Sequence, residues 1–246
     1  MITKDEYDAK IKNLMKKWKN KHKTQSKSDK FVFIDDGIID SKKWFSNDPK
    51  FKCKKILFLL KEAYGGNKSW SLTKSLCNKD DDPNKERVWQ RVVQWTYAIV
   101  NTDSQSICKF DLNDIDEHFY DYLDNIAIVN VKKSNGKPKS DMKEILAYSK
   151  NDTELLAEEI RLIEPDIIVC CYTFEALQNV FNLNSIENSC NYRDDDNWFY
   201  ITNEISNKNQ IILNFYHPSY YSVKDLLLYY SVAGIYQQAL LSIEGK

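Results

Sequence analysis

Glu62, Asn130 and His217 each stand in or just after an apolar run, where packing alone gives such residues no reason to be. Glu62 follows KKILFLLK and precedes Ala63–Tyr64–Gly65–Gly66. Asn130 interrupts NIAIVNV, and His217 follows QIILNFY and precedes Pro218–Ser219–Tyr220–Tyr221. A carboxylate supports a developing cation or holds a water nucleophile, and an imidazole stabilises or protonates a leaving group. A carboxamide offers a donor and an acceptor side by side, the pattern that reads the edge of a nucleobase. Because a buried amide needs partners, Asn130 inside an apolar strand points either to a ligand or to a structural polar network. Of the three histidines, His22 and His118 sit in polar helical contexts, so His217 is the candidate.

The elements that must position these residues follow from hydrophobic patterning. KKILFLL (54–60), NIAIVNV (125–131), PDIIVCC (165–171) and QIILNFY (210–216) are β-rich runs without polar alternation, as strands buried on both faces are. Helical patterns at 86–100, 153–164, 173–181 and 223–243 lie between and after them. Alternation of this kind predicts a three-layer α/β/α domain on a mainly parallel four-stranded sheet, spanning residues 50–246. WFYIT (198–202) reads as an added edge strand or hairpin. Residues 1–49 read as an N-terminal helical extension packed on the body. Within it, Tyr7, Ile11, Leu14, Met15 and Trp18 recur at three- and four-residue steps among lysines. In open parallel sheets ligands bind outside the carboxyl ends of the strands, and all three candidates are placed there.

Taken together, KEAYGG, IVN and HPS, in this order and at strand ends, resemble the motifs of the uracil-DNA glycosylase superfamily, over roughly residues 50–245. The resemblance implies a glycosylase fold and hydrolysis of the N-glycosidic bond of uracil or another modified base. It assigns Glu62 and His217 as catalytic and Asn130 as the base reader. Lys61 stands where the family usually has Gly, the proline of the acidic loop is missing, and Tyr-Tyr follows His-Pro-Ser. Tyr64 and Trp70 follow the acid closely enough to meet an extruded base, with packing of the loop as the alternative for Trp70. Lys132, Lys133 and Lys139, with Lys137, surround Gly136 and Pro138 and are read as phosphate contacts, a solvated loop being the alternative. Ser219, Tyr220 and Tyr221 beside the histidine are read as DNA-binding, with Tyr220 or Tyr221 as a wedge into the gap left by an extruded base. Such an enzyme acts on a flipped or single-stranded base in DNA, in repair or against phage DNA with modified cytosines. The alternative is a non-catalytic nucleic-acid- or nucleotide-binding module that keeps the fold.

Composition narrows the classes further. With 42% hydrophobic residues, 13% aromatic, 6 Gly and 5 Pro, the chain is neither disordered nor low-complexity. The net charge of −1 excludes a wholly basic nucleic-acid face, although residues 10–23 hold seven lysines. The six cysteines (53, 77, 108, 170, 171, 190) lack C-x-x-C spacing, so no metal, cluster, disulfide or organic cofactor is expected. The acidic runs 80–82 and 194–196 read as solvated connections rather than cation sites. Uninterrupted apolar runs are only strand-length and the N-terminus is polar, so the expectation is a cytoplasmic monomer that does not span a membrane.

Overall fold

The computed structural model describes residues 2–26, 31–48, 54–79, 82–183, 197–206 and 208–245. Cys53, Cys190, Asp80, Asp81 and the acidic run 194–196 lie outside the described residues.

The first helix, α1 (Lys4–Gln25), starts at a Thr3–Glu6 capping box and buries Tyr7, Leu14, Met15, Trp18 and His22. Two short strands follow, β1 (Ile34–Asp35) and β2 (Gly37–Ile38), and then α2 (Ser41–Trp44). Next come β3 (Ile56–Glu62), β4 (Trp70–Ser71) and α3 (Leu72–Asn78). Helices α4 (Arg87–Asn101), α5 (Leu112–Glu117) and α6 (Phe119–Asp124) lead into β5 (Ile126–Lys132). Beyond it lie α7 (Met142–Asn151), α8 (Thr153–Ile163), β6 (Ile167–Cys171) and α9 (Phe174–Phe181). The chain closes with β7 (Phe199–Thr202), β8 (Gln210–Phe215) and α10 (Asp225–Glu244).

Among the described residues the main sheet has six strands, in the order β2-β5-β3-β6-β8-β7. Its inner four, β5, β3, β6 and β8, are mutually parallel and correspond to the four apolar runs. Both edges are antiparallel: β7 pairs with β8, and β2 pairs with β5. The segment before residue 50 therefore does more than lie on the body, since it supplies one edge of the sheet. A separate parallel pair, β1 with β4, ties the same segment to the region after β3.

Successive strand residues point to opposite faces, and the core divides accordingly. Ile56, Phe58, Ile126, Ile128, Val169 and Leu213 pack with α4, α5, α6 and α10. Leu57, Leu59, Ala127, Val129, Ile168 and Ile212 pack with α1, α7, α8 and α9. The result is a mixed α/β domain with helices on both faces of a mostly parallel sheet. Among the described residues, α10 is long and apolar enough to cross a membrane. Asp225, Ser231, Gln237 and Gln238 interrupt its sequence, which is why no continuous apolar run marks it. Here it buries Leu228, Tyr229, Val232, Ala233, Tyr236 and Ala239 in the core.

The connection after β3 leads to β5 on one side, and that after β6 leads to β8 on the other. The carboxyl ends of the strands at such a switch point open a crevice.

Candidate active site

A cleft of about 1130 Å³ lies at this end of the sheet, and Glu62, Asn130 and His217 all line it. Three segments far apart in sequence are thus brought to one cavity by the parallel register. Its apolar wall includes Trp70, Leu72, Leu76 and Trp89.

Strand β3 runs two residues past its apolar stretch, so Glu62 is the last strand residue rather than part of a loop. In the parallel ladder it stands opposite Lys132. Glu62 Oε2 is 2.7 Å from Lys132 Nζ, and both side chains are only 3% exposed. Glu62 Oε1 accepts the Lys137 backbone N–H at 3.2 Å. The carboxylate is therefore fixed, with a cation beside it.

The loop after β5 is bolted to the loop that follows Glu62. Gly136 N–H donates to Ala63 O at 2.8 Å, and Asn135 Nδ2 donates to Gly66 O at 2.7 Å. A Cβ on Gly136 would lie 2.7 Å from Ala63 O and 2.9 Å from Glu62 Cγ, so no larger residue fits without moving the acid. Gly65 and Gly66 have φ of +110° and +88°, conformations that other residues rarely take. Trp70 packs partly on the core and donates from Nε1 to Gly65 O at 3.2 Å, so one of its roles is to hold this turn. Tyr64, 69% exposed, lines the mouth of the cleft without filling it.

Asn130 is 1% exposed. Its backbone N–H and its Nδ2 both donate to Asp36 Oδ2, at 2.8 and 2.9 Å. Its Oδ1 is buried and, among the described residues, has no hydrogen-bond partner. The structural network thus accounts for the donors of Asn130 and leaves its Oδ1 unsatisfied.

His217 follows β8 and is half-buried. Its Nδ1 accepts the Ser219 backbone N–H at 3.2 Å and lies 2.8 Å from Ser219 Oγ. An acceptor Nδ1 leaves the ring proton on Nε2, which makes Nε2–H the free donor. Burial, and next the Lys61 ammonium, push the imidazole pKa from 6.5 down to about 4. At neutral pH the group is an uncharged donor, suited to stabilising negative charge on an oxygen without first giving up a proton.

Sequence reasoning missed the residues that hold this loop. Arg91, fully buried in α4, donates to Pro218 O at 2.9 Å, to Val223 O at 3.1 Å and to Tyr220 O. It also grips Asp225 through Nε at 2.8 Å and Nη2 at 2.6 Å. An arginine in the middle of the apolar helix VWQRVVQW was the available signal. Lys61 departs from the family motif in sequence, yet its charge depresses His217, and its Nζ lies 5.1 Å from the Tyr172 ring centre. Tyr172 holds φ of +59° and is 45% exposed beside Tyr216 and Tyr220.

The expected phosphate contacts divide. Lys139 is exposed, and so is Lys137 although it pairs with Glu144 at 2.5 Å. Lys132 is buried between Glu62 and Glu144, the latter at 2.9 Å. Lys133 corrects its expectation outright: it is fully buried, paired with Asp36 and, at 2.7 Å, with Glu159, and cannot meet a phosphate. Adjacent extended residues point opposite ways, and each lysine meets its own pair of carboxylates, so both are buried. Burial opposes the Lys133 charge, but the two carboxylates outweigh it and raise its pKa. Ser219 serves His217, Tyr220 stacks on Tyr216 at 5.0 Å, and Tyr221 is 82% exposed. Comparison with protein-family models, with curated proteins and with solved structures gives no match.

Proposed function

We propose that the cleft hydrolyses the N-glycosidic bond of uracil or another altered base in DNA. The observation that carries this reading is the convergence of Glu62, Asn130 and a neutral His217 on one cavity at the carboxyl ends of parallel strands. It supports the resemblance of KEAYGG, IVN and HPS to the uracil-DNA glycosylase superfamily, with the fold that resemblance implies.

Breaking such a bond leaves a sugar with oxocarbenium character and an anionic base. The Glu62 carboxylate faces the cation and orients water. His217 Nε2–H donates to the base oxygen where negative charge grows. Asn130 reads the base edge, and the target nucleotide is extruded or supplied single-stranded. Tyr220 or Tyr221 would wedge into the gap left in the stack, a role the 82% exposure of Tyr221 supports. No lysine takes the role of a Schiff-base nucleophile, so cleavage is monofunctional.

One observation favours a second reading. The Lys132 ammonium at 2.7 Å offsets the Glu62 charge, as suits a module that binds a base without cleaving its bond. Incubating the protein with oligonucleotides carrying uracil, hypoxanthine or 5-substituted cytosines, single-stranded and duplex, separates the two by chromatography of free base. Release of any base supports hydrolysis; tight binding without release supports the module.

A further inference from the structure

The side chain of Asn130 is held by an anion that has its own counter-ion. Asp36 is 5% exposed; its Oδ2 takes both Asn130 N–H donors, and its Oδ1 takes Lys133 Nζ. Lys133 in turn pairs with Glu159 at 2.7 Å, beneath the Trp18 ring at 4.9 Å. A carboxylate paired with an ammonium only accepts hydrogen bonds. Turning the Asn130 amide over would set Oδ1 against Asp36 Oδ2 and leave a buried carboxylate oxygen facing a buried carbonyl. The amide therefore has one orientation, with Nδ2 spent on Asp36 and Oδ1 left over. That leftover oxygen is buried, unpartnered and part of a residue lining the cleft. An orphaned buried acceptor is costly until a ligand donates to it.

We infer that Asp36 is a specificity-determining positioning residue: it locks Asn130 as a pure acceptor and restricts the cleft to bases presenting a ring N–H beside a carbonyl. This inference builds on the proposed function and narrows its substrate class. Uracil and its 5-substituted forms present N3–H between two carbonyls, and hypoxanthine presents N1–H beside one. In each, the ring N–H meets Asn130 Oδ1 while a carbonyl is left to accept from His217 Nε2–H. Cytosine and its 5-substituted forms present a lone pair at N3, which opposes Oδ1, so the modified cytosines considered from the sequence are disfavoured. A site built around one hydrogen bond rejects an analogue lacking it far more strongly than an apolar pocket rejects a misfit.

Binding of the free bases uracil, 3-methyluracil and cytosine to wild type and Asp36→Asn, by ligand-observed NMR, tests this without any cleavage step. Wild type should bind uracil at least about 10-fold better than either other base, as one lost base contact implies. Asp36→Asn, whose own amide no longer dictates how Asn130 lies, should lose about 10-fold of the uracil-over-cytosine preference. A merely structural role would weaken both bases together and leave their ratio unchanged, which would overturn the inference while leaving a base site in place. Failure of wild type to bind any base would overturn the inference and the base-binding reading with it. Should Asp36→Asn not fold, the imino proton of ¹⁵N-uracil on the wild type decides. Protection from exchange supports donation to Asn130, and free exchange while bound contradicts it.

Discussion

Protonation of His217 should be pushed below the physiological range, and the cause can be divided. The pKa falls from 6.5 to about 4, first through burial and second through the Lys61 charge. That shift corresponds to about 3 kcal/mol against the imidazolium. In the unfolded chain the group binds its proton near pH 6.5, so between about pH 4 and 6.5 the unfolded state holds more protons than the folded one. Stability therefore rises with pH across that window, by up to about 3 kcal/mol, and is lost as pH falls through it. Lys61→Gln removes the smaller cause, so the pKa should climb but stay below 6.5. Long-range ¹H–¹⁵N NMR of the three histidines, from about pH 3.5 to about pH 8, reads both the titration and the tautomer. Titration of His217 at 6.5 or above, a proton on Nδ1, or restoration of 6.5 by Lys61→Gln alone would overturn this assignment.

Replacing Arg91 by Ala strips donors from the carbonyls of Pro218, Tyr220 and Val223 and leaves Asp225 without its buried partner. Because Asp225 is partly exposed, the loss should be about 3 kcal/mol, read from urea unfolding, with faster hydrogen exchange across 217–224; an effect under about 0.5 kcal/mol would deny the clamp. Gly136→Ala places a methyl group against Ala63 O and Glu62 Cγ, so base release should fall by about 100-fold while the fold is retained, as a displacement of about 1 Å implies; unchanged release would show that the loop yields. Lys137→Ala with Lys139→Ala should lower the slope of log K against log salt for duplex DNA by up to about 0.9 per lost phosphate contact. An unchanged slope would direct the DNA path toward the lysines of α1.

Much of this architecture was written in hydrophobic pattern. Runs such as ILFLL and IIVCC are strand-length and alternate with helical patterns, so the parallel core and the strand-end position of the candidate residues were legible. The edges were not: Gly37–Ile38 is two residues long and joins the sheet by tertiary pairing with Ile128 and Ala127, which no local pattern records. The short helix α7 was also passed over, although Asp141 caps it and Ile145 anchors it. At the site, residue type and setting pointed to Glu62, Asn130 and His217, while their partners came from elsewhere in the chain. Asp36 lies 94 residues from Asn130 and Arg91 lies 127 from Pro218, separations at which only the fold makes neighbours. Lys132 and Lys133 read as phosphate contacts in sequence, yet both are buried, because each meets two carboxylates supplied by other elements.

Glu62 and His217 are proposed to act on one bond in one transition state. Single-turnover base release from a uracil-containing oligonucleotide measures it, with wild type, Glu62→Gln and His217→Ala compared at equal DNA occupancy. The wild type should release uracil, and each variant should be slower by at least about 100-fold, in the range of one acid–base or electrostatic group. Circular dichroism and DNA affinity should stay near those of the wild type. Variants as fast as the wild type, or a folded wild type that releases no uracil while binding the strand, would contradict it.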